Sequence, residues 1–218
     1  MRAPRRSELA AATVETIVKG GLGKADVLVV NAGQGPMIVK DFAHGVWWLR
    51  WLGALQAARE TSAYRKLEGV PGVPRFIGRI DRLAFAIERI DGERLAFLRH
   101  TEDSGIRHLA ALRAIVDAIH ARGVVHNDLR GRENVLLARD GSLAVIDFAA
   151  ALHLAPGGLL HRLLFRRLAT TDEAALLKWK GILAPSTYTD ADRAALARFQ
   201  RLRALWPFNA KRRPPVSA

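Results

Sequence analysis

The stretch VVHNDLRGRENVLLARDGSLAVIDFAAAL, Val124 to Leu152, decides how the chain is read. It holds two aspartates in apolar surroundings, Asp128 ahead of the run NVLLA and Asp147 near the end of the run SLAVIDF. Both runs are rich in β-branched and aliphatic residues, and the Asp140-Gly141 pair between them is a two-residue hairpin signal. If that pair is the turn, Arg139 faces Ser142, Leu137 faces Ala144 and Asn134 faces Asp147. A side-chain carbonyl and a carboxylate then stand side by side at the open end of the hairpin. Hard oxygen donors on facing strands, with room left for water and phosphate oxygens, suit Mg2+. Asp128 projects over the same opening, where a carboxylate can take the proton of a hydroxyl. The structural alternative makes Asn134 a turn cap and Asp147 an acceptor of backbone hydrogen bonds. It accounts for one such residue more readily than for His126-x-Asp128, Asn134 and Asp147 in this order.

Upstream, TVETIVKGG and ADVLVVN flank GGLGK and read as strands, followed by a third strand in PMIVKDFA. Gly20, Gly21 and Gly23 fall in the first turn, where bare backbone N–H groups can approach phosphates. Lys40 ends a strand of buried type, and a buried ammonium needs a partner. The next segment recurs at helical spacing through Trp47, Trp51, Leu55 and Ala58 and stops near Gly69. Glu60 lies on this helix, with Glu68 as the second candidate acid for Lys40. The three tryptophans Trp47, Trp48 and Trp51 read first as core. RLAFAIERI is a further strand. Ile106, Leu109, Leu112, Val116 and Ile119 form the stripe of a helix that starts near Ser104 and stops at Gly123. Beyond the hairpin, LLHRLLFRRLA, TDEAALLKWKG and DADRAALARFQRLRALW read as helices, the last two capped at Thr171 and Thr189.

These residues resemble the protein-kinase-like superfamily. HNDLRGREN looks like its catalytic loop and VIDFA like its D-F-G. GGLGK looks like the glycine-rich loop, MIVK like the strand that carries the ATP-contacting lysine, and FAIERIDGERL like the hinge. The resemblance runs in order from about Thr13 to Phe148. It implies an α+β, two-lobed fold: a small antiparallel-sheet N-lobe over residues 12–90 and a trimmed helical C-lobe over residues 91–209. A basic arm at 1–11 and a frayed basic tail at 210–218 would flank them. It also implies ATP and Mg2+ as cofactors. Phosphates would lie under Gly20, Gly21 and Gly23 and on Lys40, paired with Glu60. Glu88 and Ile90 would offer backbone to the adenine. Asn134 and Asp147 would ligate metal, and Asp128 would be the catalytic base beside Lys40. The implied activity is phosphotransfer to a hydroxyl, nominally protein Ser/Thr. The compact outline is similar to small bacterial, RIO-type and lipopolysaccharide-core sugar kinases, which keeps a lipid-linked sugar as an alternative acceptor. Three departures stand out: Asp128 to Asn134 is one residue longer than the pattern, Asn127 replaces its arginine, and Ala149 replaces its last glycine. They leave a nucleotide-binding pseudokinase scaffold as a further alternative.

Composition sets the outer bounds. The 218 residues hold 34 Lys and Arg against 21 Asp and Glu, a net charge of +13, and no cysteine. Disulfides and thiolate metal sites are thereby excluded. The charge attracts polyanions such as nucleotides or acidic lipid. No aromatic-rich RNA motif accompanies it, so nucleic acid is not the expected partner. No apolar run reaches the ~20 residues of a membrane span. The expected location is cytoplasmic, with peripheral contact at the inner membrane face through LLHRLLFRRLA, whose leucines and arginines suit anionic lipid.

Overall fold

β-branched runs and glycine turns build the first half of the chain. In the computed structural model, residues 1–21, 24–44 and 47–204 are described. β1 (Thr13–Val18), β2 (Asp26–Asn31), β3 (Pro36–Asp41), β4 (Phe76–Arg79) and β5 (Ala84–Glu88) form one antiparallel sheet in the order β1-β2-β3-β5-β4. Lys40 pairs with Val27 on one side and Phe85 on the other, which sets it in the middle strand. Leu28, Val30, Met37, Val39 and Ala86 make one apolar face of this sheet.

That face is covered by α1 (Arg6–Ala12), through its buried Leu9. The N-terminal segment, expected as a loose basic arm, is thus partly helical. Its Arg6 is drawn to the carboxylates of Asp41 and Asp81, and Glu8 accepts the N–H of Arg5 at 2.7 Å to close the first turn. The tail at 210–218 lies outside the described residues.

The opposite face of the sheet meets α2 (Arg50–Lys66), whose buried side carries Ala57, Glu60, Thr61 and Tyr64. Trp51 and Leu55 occupy the other side and are exposed, as are Trp47 and Trp48 in the 3-10 turn, Trp47–Leu49, just before it. The reading of the tryptophans as core is therefore overturned. Helical periodicity identified a stripe, but the stripe that packs is the one centred on Ala57 and Tyr64.

After β6 (Gly92–Arg94) comes α3 (Glu102–Ala121). Its N-cap is Thr101, whose side chain accepts the N–H of Ser104, so the start lies three residues before the expected one. Then follow β7 (Val124–Val125), β8 (Val135–Ala138), β9 (Leu143–Val145), β10 (Leu152–His153), α4 (Leu159–Leu183) and α5 (Asp190–Ala204). LLHRLLFRRLA and TDEAALLKWKG are one continuous helix. The hydroxyls of Thr170 and Thr171 turn back to the carbonyls of Arg167 and Leu168, at 2.5 and 2.9 Å, instead of starting a new helix. Thr189 does cap α5: its side chain accepts the N–H of Asp192, and Asp192 accepts the N–H of Thr189.

Gly105 fixes the crossing of α3 and α4, since a Cβ there would fall 1.7 Å from the carbonyl oxygen of Leu183. One apolar core runs from Tyr64 and Phe85 through Leu112, Val116, Val124 and Val145 to Trp179 and Leu183. The architecture is α+β, an antiparallel sheet with several helices, compatible with a kinase-like fold.

Candidate active site

The hairpin differs from its expected register by one residue. Leu137 pairs with Leu143, Leu136 with Ala144 and Val135 with Val145. The cause is a three-residue loop: Ala138 N–H donates to Ser142 O at 2.8 Å, and Gly141 closes the turn at φ +84°. Asn134 consequently faces Ile146, whose N–H it accepts at 2.9 Å, and not Asp147. Asp147 follows the strand at φ +66°. A one-residue slip would send its side chain to the other face. The left-handed backbone redirects it, and both Asn134 and Asp147 line the same cleft.

This cleft, about 340 Å³, lies between the five-stranded sheet and the β8–β9 hairpin. Val27, Ile38, Lys40 and Ile87 form part of its upper wall, Leu136 and Ile146 part of its lower wall, and residues 88–92 run along one side. A second cavity of about 390 Å³ sits behind that connector, against Gly72 and Ser142. The two share the connector residues 88–91, but Lys40, Asn134 and Asp147 line only the first.

Lys40 is the electrostatic hub. Its Nζ lies 2.6 Å from Glu60 Oε1 and 2.7 Å from Asp147 Oδ1. Burial alone would strip the ammonium of its proton, but the carboxylates of Glu60 and Asp147 outweigh burial and raise its pKa. Burial likewise opposes the charge of Asp147. Lys40 and the N–H of Ala149 more than offset it, and the carboxyl sits below its ordinary range. Glu68, the second candidate, is exposed beyond the end of α2.

Asp128 is exposed beside the cleft-lining Asn134, whose Nδ2 donates to Asp128 O at 2.9 Å and to Asp128 Oδ2 at 3.3 Å. With its amide nitrogen so engaged, Asn134 keeps Oδ1 as the atom able to ligate a cation. Asn134 Oδ1 and the ionised Asp147 form a hard-oxygen donor pair that fits Mg2+ alongside phosphate oxygens. Among the described residues no cluster of three or more His, Asp or Glu could hold a metal by itself. A cation here would need ligands from the nucleotide as well.

The glycine turn is tied down. Gly20 N–H donates to Asp26 Oδ1 at 2.6 Å, and Asp26 Oδ2 meets His44 Nδ1 at 2.9 Å. A Cβ on Gly20 would fall 2.3 Å from Lys24 O, whereas Gly21 faces open space. Gly23 lies outside the described residues. Glu88 and Ile90 both line the cleft, but the N–H of Glu88 is committed to Arg75 O at 2.9 Å.

Under the site runs a chain of buried aromatic rings, tilted or edge-on to one another. Phe85, Tyr64, Phe148 and His126 follow one another with ring centroids 6.3, 5.1 and 4.7 Å apart. It links the sheet, α2, the residue after Asp147 and His126. His126 Nε2 is 3.0 Å from Ile146 O, and burial lowers its pKa, which keeps the ring neutral.

The loop of residues 126–130 rests on α4 through residues the sequence reading passed over. Asp172, fully buried, accepts the N–H of His126 and of Asn127, each at 2.8 Å, and lies 3.0 Å from His120 Nε2. Trp179 Nε1 donates to Leu129 O at 2.9 Å and Lys178 Nζ to Arg130 O at 2.7 Å. Asn127 holds φ +65° under these bonds. The spacing of Asp172, Lys178 and Trp179 along a helix was the signal available, and it marks one face only when the helix is read as continuous.

No protein-family profile matches the chain. It is similar to CBL-interacting protein kinase 12 of Oryza sativa subsp. japonica, with 38% identity over 67% of this chain and 23% of that protein. It is similar also to serine/threonine-protein kinase PKH3 of Saccharomyces cerevisiae, with 39% identity over 35% of this chain and 9% of that protein. CBL-interacting protein kinase 19 of the same rice gives 39% identity over 37% of this chain and 17% of its own length. The chain thus spans about a quarter or less of these curated relatives. Fold, cleft and partial likenesses support the protein-kinase-like superfamily. No helix among the described residues is long and apolar enough to cross a membrane.

Proposed function

We propose that the protein is an ATP- and Mg2+-dependent phosphotransferase acting on a hydroxyl acceptor, nominally a protein Ser/Thr side chain. The observation that carries this is Lys40, buried in the cleft and held by Glu60 and Asp147 within 2.7 Å. A lysine so fixed can hand its charge to α/β-phosphate oxygens while Glu60 keeps it oriented. When bound, ATP would supply the γ-phosphoryl group, which passes to the acceptor hydroxyl as ADP leaves, and Mg2+ would offset the charge on its oxygens. Asn134 Oδ1 and the carboxylate of Asp147 would hold the metal, and Asp128, exposed beside Asn134, would receive the acceptor proton. The N–H of Gly21 and the backbone of Ile90 are the proposed contacts for phosphate and adenine, since the amides of Gly20 and Glu88 are committed elsewhere.

One observation favours a lipid-linked sugar as the acceptor. Only residues 148–158 separate Asp147 from α4, which leaves little chain for a peptide-docking platform. Phosphate transfer from labelled ATP to a generic protein substrate and to a lipid-linked sugar, each with Mg2+ or with chelator, tests both readings. Label in either acceptor only with Mg2+ supports phosphotransfer and identifies the acceptor class. Nucleotide binding with no turnover on any acceptor would overturn it in favour of the scaffold.

A further inference from the structure

The exposed side of α2 and the short 3-10 turn before it, Trp47–Leu49, carry large apolar side chains among arginines, where a surface helix is usually polar. Trp47, Trp48, Trp51 and Leu55 are 79%, 56%, 64% and 51% exposed. Trp51 and Leu55 share a helix face with Ala58 and Ser62. Those two, with Arg59, form one wall of a cavity of about 320 Å³, and Ala151, Leu152 and His153 form the other. β10 pairs with β7, and only residues 154–158 separate His153 from α4, so the first turns of α4 lie close by. There Leu159, Leu163 and Leu164 are 72%, 61% and 39% exposed, and Arg166 and Arg167 are exposed a turn further on. A band of projecting apolar side chains therefore runs from α2 across residues 151–153 to α4.

The charge along this band has one sign. Between Asp41 and Glu68 the sole acidic residue is Glu60, which is buried, and between Asp147 and Asp172 there is none. Arg50, Arg59 and Arg65 on α2 and Arg166 and Arg167 on α4 are exposed.

We propose that this band docks on an anionic lipid bilayer. Tryptophan rings seat at headgroup depth, leucines reach the acyl boundary, and arginines meet lipid phosphates. The apolar side chains project outward from two helices, as a fluid bilayer accepts, whereas an amphipathic partner helix would need them to line a groove. Docking does not depend on the proposed catalysis, and its test uses no nucleotide.

The test is co-sedimentation of the full chain with phosphatidylcholine vesicles, with and without phosphatidylglycerol. The protein should pellet with the anionic vesicles, stay in solution with the neutral ones, and be partly released by salt. Tryptophan emission should shift to the blue on binding. Arg166→Glu with Arg167→Glu should weaken partitioning about fivefold or more per residue. Trp47→Ala with Trp51→Ala should remove most of the binding and reduce the blue shift to what Trp48 gives, with the thermal midpoint unchanged because both side chains are exposed. Arg198→Glu with Arg201→Glu, on α5, should leave binding near wild type. Wild type remaining in solution with anionic vesicles at low salt would overturn the proposal. So would an equal loss from the α5 pair, which would mean diffuse charge attraction without a defined face.

Discussion

Asp172 accepts the backbone N–H of His126 at 2.8 Å, so a carboxylate in the middle of α4 holds the chain two residues before Asp128. Its other oxygen takes the N–H of Asn127, which sits at φ +65°. A left-handed non-glycine residue persists only where its surroundings over-determine it. Asp172 supplies that constraint.

Asp172→Ala should therefore leave the buried N–H of His126 and the part-buried N–H of Asn127 without their partner and cost about 3 kcal/mol of unfolding free energy. Asp172→Asn keeps one acceptor and should cost less. In the folded fraction of Asp172→Ala, phosphotransfer should fall at least about tenfold, the size expected for a misplaced reacting group. Urea unfolding and turnover of the same samples check both; an alanine variant as stable as wild type would remove Asp172 from this role.

The Lys40–Glu60 pair is buried on both sides, so its removal is a stability event as well as a functional one. Lys40→Ala leaves the Glu60 carboxylate uncompensated and should destabilise by about 3–5 kcal/mol. The double variant Lys40→Met, Glu60→Leu replaces the pair by apolar groups and should regain at least half of that loss, while phosphotransfer stays at background. Thermal unfolding of the single and double variants, with ATP turnover alongside, separates the two effects. Normal turnover in the double variant would exclude Lys40 from nucleotide chemistry.

His126 gives the chain an acid sensitivity of defined sign. Burial keeps its folded pKa below the ordinary histidine value of 6.5. The folded state thus favours the neutral ring, and on unfolding in acid the ring takes up a proton. The stability this contributes is fully present above the unfolded value, about 6.5, and is lost as pH falls from there toward the lower folded pKa. The thermal midpoint should decline as the buffer is taken from about pH 7 to pH 5, and less steeply in His126→Gln, which cannot titrate there. Equal slopes in both proteins would assign the decline to other groups.

What the sequence disclosed, and what it hid, follows from the range of each signal. Lys40, Glu60, Asn134 and Asp147 were legible because a strand, a helix and a hairpin each announce themselves over a few residues. Their order along the chain then gave the resemblance. The hairpin register was not legible, because Asp140-Gly141 fits both a two-residue turn and a three-residue loop closed by glycine. Only the bond from Ala138 N–H to Ser142 O distinguishes them. Asp172 was hidden by a local signal that competed with it. Thr171 followed by Asp172 and Glu173 has the composition of a helix start, whereas the threonine hydroxyl bonds back to Leu168 O and the helix passes through. Trp47, Trp48 and Trp51 were misjudged for a third reason: periodicity shows which residues share a face, not whether anything lies opposite.

Asp147 offers the sharpest test of the site. Its carboxylate is held below its ordinary pKa and meets Lys40 at 2.7 Å, while its backbone stands at φ +66°. Asn tolerates that left-handed conformation and keeps the side-chain volume, so Asp147→Asn should fold with little loss of stability. What it loses is the negative charge that a bound Mg2+ requires. Phosphotransfer should fall by about a thousandfold or more, equivalent to roughly 4 kcal/mol of transition-state stabilisation. Asp147→Val removes the same charge but places a β-branched residue at positive φ, and it should in addition unfold at lower temperature. The two variants together separate ligation from backbone geometry. If Asp147→Asn retains wild-type Mg2+-dependent turnover, the metal is held elsewhere and the assignment of Asn134 Oδ1 and Asp147 as its ligands fails.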